Sequence, residues 1–393
     1  MAPYYCTAYI ELKIKEIASN AAMTRLDPLI EEVETDAKKL FDKLETMRRI
    51  AAIAELSVAD LLQEFNVGTR KSKLALVQTD LIVSALSTAW PDKRFNICAH
   101  NTAAGDIDKV TPFKDMPVKN LWTHELERML VEEELDVLVH SLKDVPTQLP
   151  EGCILGGIPQ REDPRDAFVL KAGRPRCTID ELPEGSVIGT SSIRRSAQIA
   201  LKHPKLKIVD MRGNVPTRLS KLDAEGSQFD ALILASAGLI RLGLEHRITQ
   251  YLDSKNGGML YAVGQGAIGT ELRESDTAMK GIMERVNHEP SALACLAERS
   301  LLRTLEGGCS APLGVETEWI GQSGHKRLQL RALVVSVNGK ESAAIEKDEV
   351  IDNVEAAEEF GVKVAEELRE RGAGKILEDI ERAKPFKEPT LEI

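Results

Sequence analysis

The sequence predicts an α/β protein of several domains: two doubly wound lobes, a small α+β domain after them, and a helical extension in front. Three observations carry this reading. At 393 residues the chain exceeds what one hydrophobic core ordinarily holds. From Asn66 onward, short apolar runs alternate with segments of helical periodicity, the pattern of sheets covered by helices on both faces. Near the C-terminal end the texture changes to longer strands followed by one helix, which marks a separate α+β unit.

Residues 1–65 form the extension. Asp27-Pro28 reads as an N-cap followed by proline at the first helical position, and Glu31 and Glu32 lie where the helix dipole favours acids. Ile30, Val33, Ala37, Leu40, Leu44, Met47, Ala51 and Ala54 recur at three- and four-residue spacing, so one face is apolar throughout. A partner or dimerisation helix and an arm folded back on the body both fit that face. Ser57-Val58-Ala59-Asp60 resembles a capping box that restarts a short helix.

The first lobe opens with a strand over 67–70 and a helix over 72–86, followed by a strand over 94–98. The polar stretch 101–118, with its glycine and prolines, is a candidate mobile loop. A helix over 121–134 and a buried strand over 135–139 follow. The second lobe repeats the pattern: strand 187–188, helix 192–201, strand 206–209, helix 217–223, strand 231–234. In the last unit, 327–337 and 343–349 read as antiparallel strands, and a helix over 353–371 stops at Gly372.

Composition excludes several classes. No apolar run approaches the roughly 18 residues a membrane helix needs. Residues 1–20 lack the apolar core of a secretory signal, and acids are too frequent before residue 65 for a transit peptide. The six cysteines are scattered without a CxxC pair, which argues against a disulfide framework or a zinc site and suits the reducing cytoplasm. A formal charge of −11 argues against nucleic acid as a partner, and it makes local clusters of arginine informative.

Such clusters stand at successive strand ends, where open α/β sheets bind ligands. They are Thr69-Arg70-Lys71-Ser72, His140 to Pro146, Gly189 to Arg195, Met211 to Arg218, and Ala235 to Arg241. Arg194 and Arg195 in the first turn of a helix oppose its dipole by a few tenths of a kcal/mol each, about the size expected at a surface. They make sense where an anion meets both free amides and guanidinium groups. The sheets therefore predict a ligand carrying several carboxylates or phosphates, and the absence of GxxxxGK[ST] argues against a nucleoside triphosphate. Asp144 is one acid among cations, suited to stabilising a developing positive charge. His140, ending a buried strand, reads as structural. Leu305-Glu306-Gly307-Gly308-Cys309-Ser310-Ala311-Pro312 offers a thiol on a glycine-rich turn.

Seven segments, in order VGTRKSKLALVQTD, VHSLKDVPTQLP, GTSSIRRSAQ, MRGNVPTRLSKLD, LASAGLIRLG, YAVGQGAIG and LEGGCSAP, resemble the porphobilinogen deaminase (hydroxymethylbilane synthase) family, with fungal members most similar. The resemblance covers about residues 66–383. It implies two lobes built like periplasmic binding proteins, 66–159 with 267–284 and 160–266, and a cofactor-anchoring α+β domain, 285–383. It also implies a dipyrromethane cofactor in thioether linkage to Cys309, and polymerisation of four porphobilinogens onto it with loss of ammonia, then hydrolytic release. By position, Asp144 matches the catalytic carboxylate, with Lys143 and Arg70 beside it. Ser72, Lys143, Asp144, Thr190, Ser192, Arg194, Arg195, Arg212, Arg218 and Gly238 match cofactor-binding positions. Arg70, Gln78, Arg212, Arg218, Arg241 and Gln265 match substrate-binding positions, and Lys119 matches the lysine of a lid. Trp122 stands where many relatives have Phe. The implied state is a monomer without nucleic-acid or membrane partners, although the apolar face of the first helix leaves a protein contact open. A non-enzymatic two-lobed anion-binding protein is the alternative, and it has no use for Cys309 or for Asp144 among cations.

Overall fold

The computed structural model describes residues 27–53, 63–100, 123–305, 311–321 and 327–383. The chain divides into two units, Met1–Gln63 and Glu64–Ile393. In the first, helix α1 (Asp27–Ile53) begins at the expected Asp-Pro pair, and its Leu40, Phe41 and Leu44 are exposed. The helix restart expected at 57–60 lies outside the described residues.

After the boundary, which falls within β1 (Gln63–Arg70), come α2 (Lys73–Ala89), β2 (Lys93–His100), α3 (His124–Val131), β3 (Val137–Ser141) and β4 (Cys153–Leu155). Next come β5 (Asp166–Leu170), β6 (Val187–Gly189), α4 (Ile193–Lys202), β7 (Lys207–Val209), α5 (Val215–Asp223), β8 (Ala231–Ala235), α6 (Ser236–Arg241) and β9 (Gln250–Leu252). The chain then forms β10 (Ile268–Arg273), α7 (Thr277–Glu284), α8 (Glu289–Thr304), β11 (Leu313–Ile320), β12 (Arg327–Val335), β13 (Ser342–Val350), α9 (Val354–Leu368) and α10 (Gly374–Arg382).

The first sheet has the order β2-β1-β3-β10-β4. Side chains alternate across it, as the two-residue period of a strand requires. Val137 and Val139 pack with Ile82 and Leu86 of α2 and with Met279, Ile282 and Met283 of α7. Leu138, between them, packs on the other face with Leu126 and Leu130 of α3. The second sheet has the order β7-β6-β8-β5-β9. There Phe168 and Leu170 join Ile188 and Ile199 on one face, while Ala167 and Val169 join Leu219, Leu222 and Leu239 on the other. Both sheets are thus doubly wound.

They are not wholly parallel, as the strand-helix alternation alone would suggest. β1 pairs parallel with β3, but β10 runs antiparallel between β3 and β4. Likewise β6 is parallel to β7 and β8, whereas β5 is antiparallel to β8 and β9. The reason is connectivity. β5 and β10 follow segments that pass between the lobes, so neither is reached through the crossover helix that makes neighbouring strands parallel.

Those two passing segments, 156–165 and 253–267, are bonded side by side. Glu162 N–H donates to the Gly266 carbonyl at 3.3 Å, Arg161 Nε to the Gln265 carbonyl at 2.8 Å, and Gln265 Nε2 to the Pro164 carbonyl at 2.8 Å. Gly266 has φ +84°, and a Cβ there would lie 2.4 Å from the Glu162 oxygen, so this approach requires glycine.

The third sheet is the antiparallel meander β11-β12-β13. Its Val315, Leu328, Leu330, Val334 and Ile345 share a core with Leu293, Ala297 and Leu301 of α8 and Phe360, Val364 and Leu368 of α9. Gly372, at φ +112°, ends the preceding helical run as expected, but the chain then enters α10.

Candidate active site

The carboxyl ends of β1 and β3 lie together because the two strands are parallel neighbours. After β1, Ser72 caps α2, its hydroxyl accepting from the Ala75 N–H at 3.3 Å. After β3, Leu142–Asp144 form a single 3₁₀ turn that leaves Asp144 exposed. Buried Gln78 of α2 accepts from the Ser141 hydroxyl at 3.0 Å, while its buried Nε2 has no partner among the described residues. His140, read as structural, is buried with Nε2 3.5 Å from Glu271 Oε2 in β10.

The Leu142–Asp144 turn faces the second lobe. Burial lowers the Lys143 ammonium to about 8; Asp144 and Asp166 favour its charge, whereas Arg195 and Arg194 oppose it. Asp144 and Lys143 come from one lobe, and the other three belong to β5 and α4 in the other. The two lobes also approach each other where a Cβ on Gly238 of α6 would sit 3.8 Å from Leu74 of α2.

At the start of α4, Ser192 is the N-cap, accepting from the Arg195 N–H at 3.4 Å, and Thr190 Oγ1 accepts from the Ser192 N–H at 3.2 Å. Arg194 and Arg195 are each only 6% exposed. An anion of the chain itself already engages both guanidinium groups. Asp166 Oδ2 accepts from Arg194 Nη1 at 2.8 Å, and Oδ1 accepts from Arg195 Nη2 at 2.7 Å and from Gln265 Nε2 at 2.8 Å. Burial alone would raise the Asp166 carboxyl, but the two guanidinium groups hold it well below the usual carboxylate range. Sequence reasoning missed Asp166. Its signal was an acid at the first position of an apolar run, Asp166-Ala167-Phe168-Val169-Leu170, where a lone buried charge demands a partner.

The cations extend further. Arg218 of α5 is lowered to about 10 by burial and by Arg195 and Arg212, with Asp210 acting the other way. Its Nε donates to the Gly213 carbonyl at 2.6 Å, and Arg212 Nε donates to Asp210 at 3.2 Å. Gly213, at φ +122°, makes the turn that brings both arginines to one place. Arg241 Nη2 donates to the Gly266 carbonyl at 2.7 Å; burial lowers the Arg241 guanidinium, partly countered by Glu162. Gln265 Oε1 is buried and has no partner among the described residues. The structure therefore links Lys143 and Asp144 with Arg194, Arg195, Arg212 and Arg218, and Gln265 joins them through Asp166. Arg241 is tied instead to the second passing segment. Cys309, Lys119 and Trp122, with the loop expected over 101–118, lie outside the described residues.

Two family models match the chain. The one described as porphobilinogen deaminase, dipyromethane cofactor binding domain, covers residues 65–281, and the one described as porphobilinogen deaminase, C-terminal domain, covers 292–370. Among curated proteins, the porphobilinogen deaminase of Neurospora crassa is 46% identical over 326 residues, 81% of this chain and 94% of that protein. That of Yarrowia lipolytica is 50% identical over 80% of this chain and 92% of its own length. That of Saccharomyces cerevisiae is 44% identical over 81% and 97%. A solved amino-acid transporter binding protein from Bacillus subtilis aligns at 11% identity over 61% of this chain and 97% of its own, with a TM-score of 0.37, too loose to carry an argument.

Proposed function

The chain belongs to the porphobilinogen deaminase family, and on that premise we propose which of its residues carry the reaction and how. It is a transferase of porphyrin and haem biosynthesis, a hydroxymethylbilane synthase. It joins four porphobilinogens head to tail, with loss of ammonia, onto a covalent dipyrromethane primer and releases the product by hydrolysis. The reading as a non-enzymatic anion-binding protein is not favoured.

The residues present suit a polycarboxylate. Lys143, Arg194 and Arg218 are lowered by burial and by neighbouring cations together, so each bound carboxylate relieves repulsion as well as gaining hydrogen bonds. This crowding of cations across two lobes beside one exposed carboxylate is the observation that carries the assignment. When bound, dipyrromethane supplies the free pyrrole carbon to which substrate is joined. Cys309 would hold it, and Ser72, Lys143, Thr190, Ser192, Arg194, Arg195, Arg212, Arg218 and Gly238 would bind it or line its place. Arg70, Gln78, Arg212, Arg218, Arg241, Gln265 and Lys119 take the incoming substrate. Asp144 would stand by the pyrrole nitrogen of the reacting unit and stabilise the positive charge that grows there as ammonia departs. A carboxylate placed there lowers the barrier electrostatically, an effect worth about 10²–10³-fold for comparable groups.

We assign the lobes to 66–159 with 267–284 and to 160–266, and the anchoring domain to 285–383. The two five-stranded sheets and the meander support those limits. A monomer in the cytoplasm fits the described cysteines, all of which are free; fractionation and sedimentation test this. For the chemistry, Asp144→Asn should retain the cofactor on intact-mass analysis while turnover falls by about 10²-fold or more. Near-normal turnover would remove Asp144 from the mechanism. Cys309→Ser should lack the covalent adduct and give no colour with an acidic aldehyde reagent.

A further inference from the structure

The turn that presents Asp144 is anchored on both sides by α8. Leu142 and Val145 are 0% and 3% exposed and pack with Ala292 and Cys295 of that helix. Farther along α8, Arg299 is 3% exposed. It donates from Nη1 to the Val145 carbonyl at 3.0 Å and from Nη2 to the Pro146 carbonyl. A planar guanidinium that bridges successive carbonyls fixes the direction of the backbone as well as its position.

The preceding residue, Glu298, is wholly buried. It accepts from Arg161 Nη1 and Nη2 at 2.7 and 3.0 Å, from the Gly264 N–H at 2.8 Å, and from the Thr317 hydroxyl at 2.7 Å. Two neighbouring residues of α8 thus grip both passing segments and the exit of the Asp144 turn. The helix is capped by Leu305, about 9 Å of axial rise beyond Arg299, where the chain enters the segment that contains Cys309.

We propose that Arg299 is a positioning residue for the condensation, locking the turn that carries Asp144 to the helix that leads into the cofactor-bearing segment. The inference rests on reading Asp144 as the catalytic carboxylate. Its physical content is that the Asp144 turn rides on a rigid helix, so the carboxylate keeps its place while the chemistry proceeds. Loss of that support displaces Asp144 without removing any group that binds substrate, and a displacement near 1 Å costs about 10²-fold in rate.

The test measures the first porphobilinogen addition to purified holoenzyme by rapid quench and intact mass, for Arg299→Gln, Arg299→Lys and Asp144→Asn in parallel. Cofactor content and thermal unfolding are read on the same samples. Arg299→Gln should slow the first addition about 10- to 100-fold with KM changed by no more than about twofold. Arg299→Lys, which reaches one carbonyl at a time, should be intermediate. A wild-type rate in Arg299→Gln, or a rate loss matched by lost folded holoenzyme, or Lys no better than Gln, overturns the proposal. If Asp144→Asn is slow and Arg299→Gln is not, positioning fails and the carboxylate assignment stands. If Asp144→Asn runs at the normal rate, the underlying assignment fails as well.

Discussion

Asp166 lies wholly buried among Arg194, Arg195 and Gln265, with both oxygens engaged. Removing its charge leaves two guanidinium groups inside the protein without their counter-ion. Asp166→Asn should therefore destabilise the fold by about 3–5 kcal/mol, measured by denaturant unfolding. A loss below about 1 kcal/mol would show that the arginines are neutralised in another way. The pH dependence follows from the same pair. The folded Asp166 carboxyl is depressed below its unfolded value, near 3.9. Its stabilisation is thus present above that value and is lost as pH falls toward the folded one. Wild type should lose more stability than Asp166→Asn between about pH 5 and pH 2. The roles read from the strand-end motifs depended on residue type and order, which is why Asp144 and the arginines stood out in the sequence. Asp166 did not, because its partners are far away along the chain and only folding brings them to it.

Among the elements, α8 ties several parts of the fold together. It shares a core with α9 and the meander, and it supports the Asp144 turn and both passing segments. Its approach to α9 depends on Gly361, where a Cβ would lie 2.4 Å from the Ala297 carbonyl and 2.7 Å from Ser300 Cβ. The backbone oxygen cannot swing aside as a flexible side chain could. Gly361→Ala should cost about 1–3 kcal/mol through overpacking, seen as a lower Tm, and an unchanged Tm would mean that the helices separate freely. Helices with marked periodicity or caps, such as α2, α4 and α9, were legible in the sequence. β5 and β10 were not placed by it. Each is a short run whose partner strands, and whose antiparallel sense, depend on the chain passing from one lobe to the other.

For the whole molecule, the described site residues all lie in the unit Glu64–Ile393, and α1 lies in the other. A chain beginning at Phe65 should keep its cofactor and wild-type turnover, and both forms should sediment as monomers. A full-length dimer that becomes monomeric on truncation would assign the apolar face of α1 to self-association. Loss of turnover would instead give residues 1–64 a part in catalysis.

The doubly wound lobes and the family were determined by the sequence, because each rests on local pattern or residue type. Tertiary structure decided which charges neutralise which, and what holds the reacting turn. Asp166 and Arg194 are 28 positions apart, and Arg299 and Val145 are 154 apart. Such pairs form only when burial removes water and leaves each polar group to find a partner within the protein, and no periodicity along the chain records that choice.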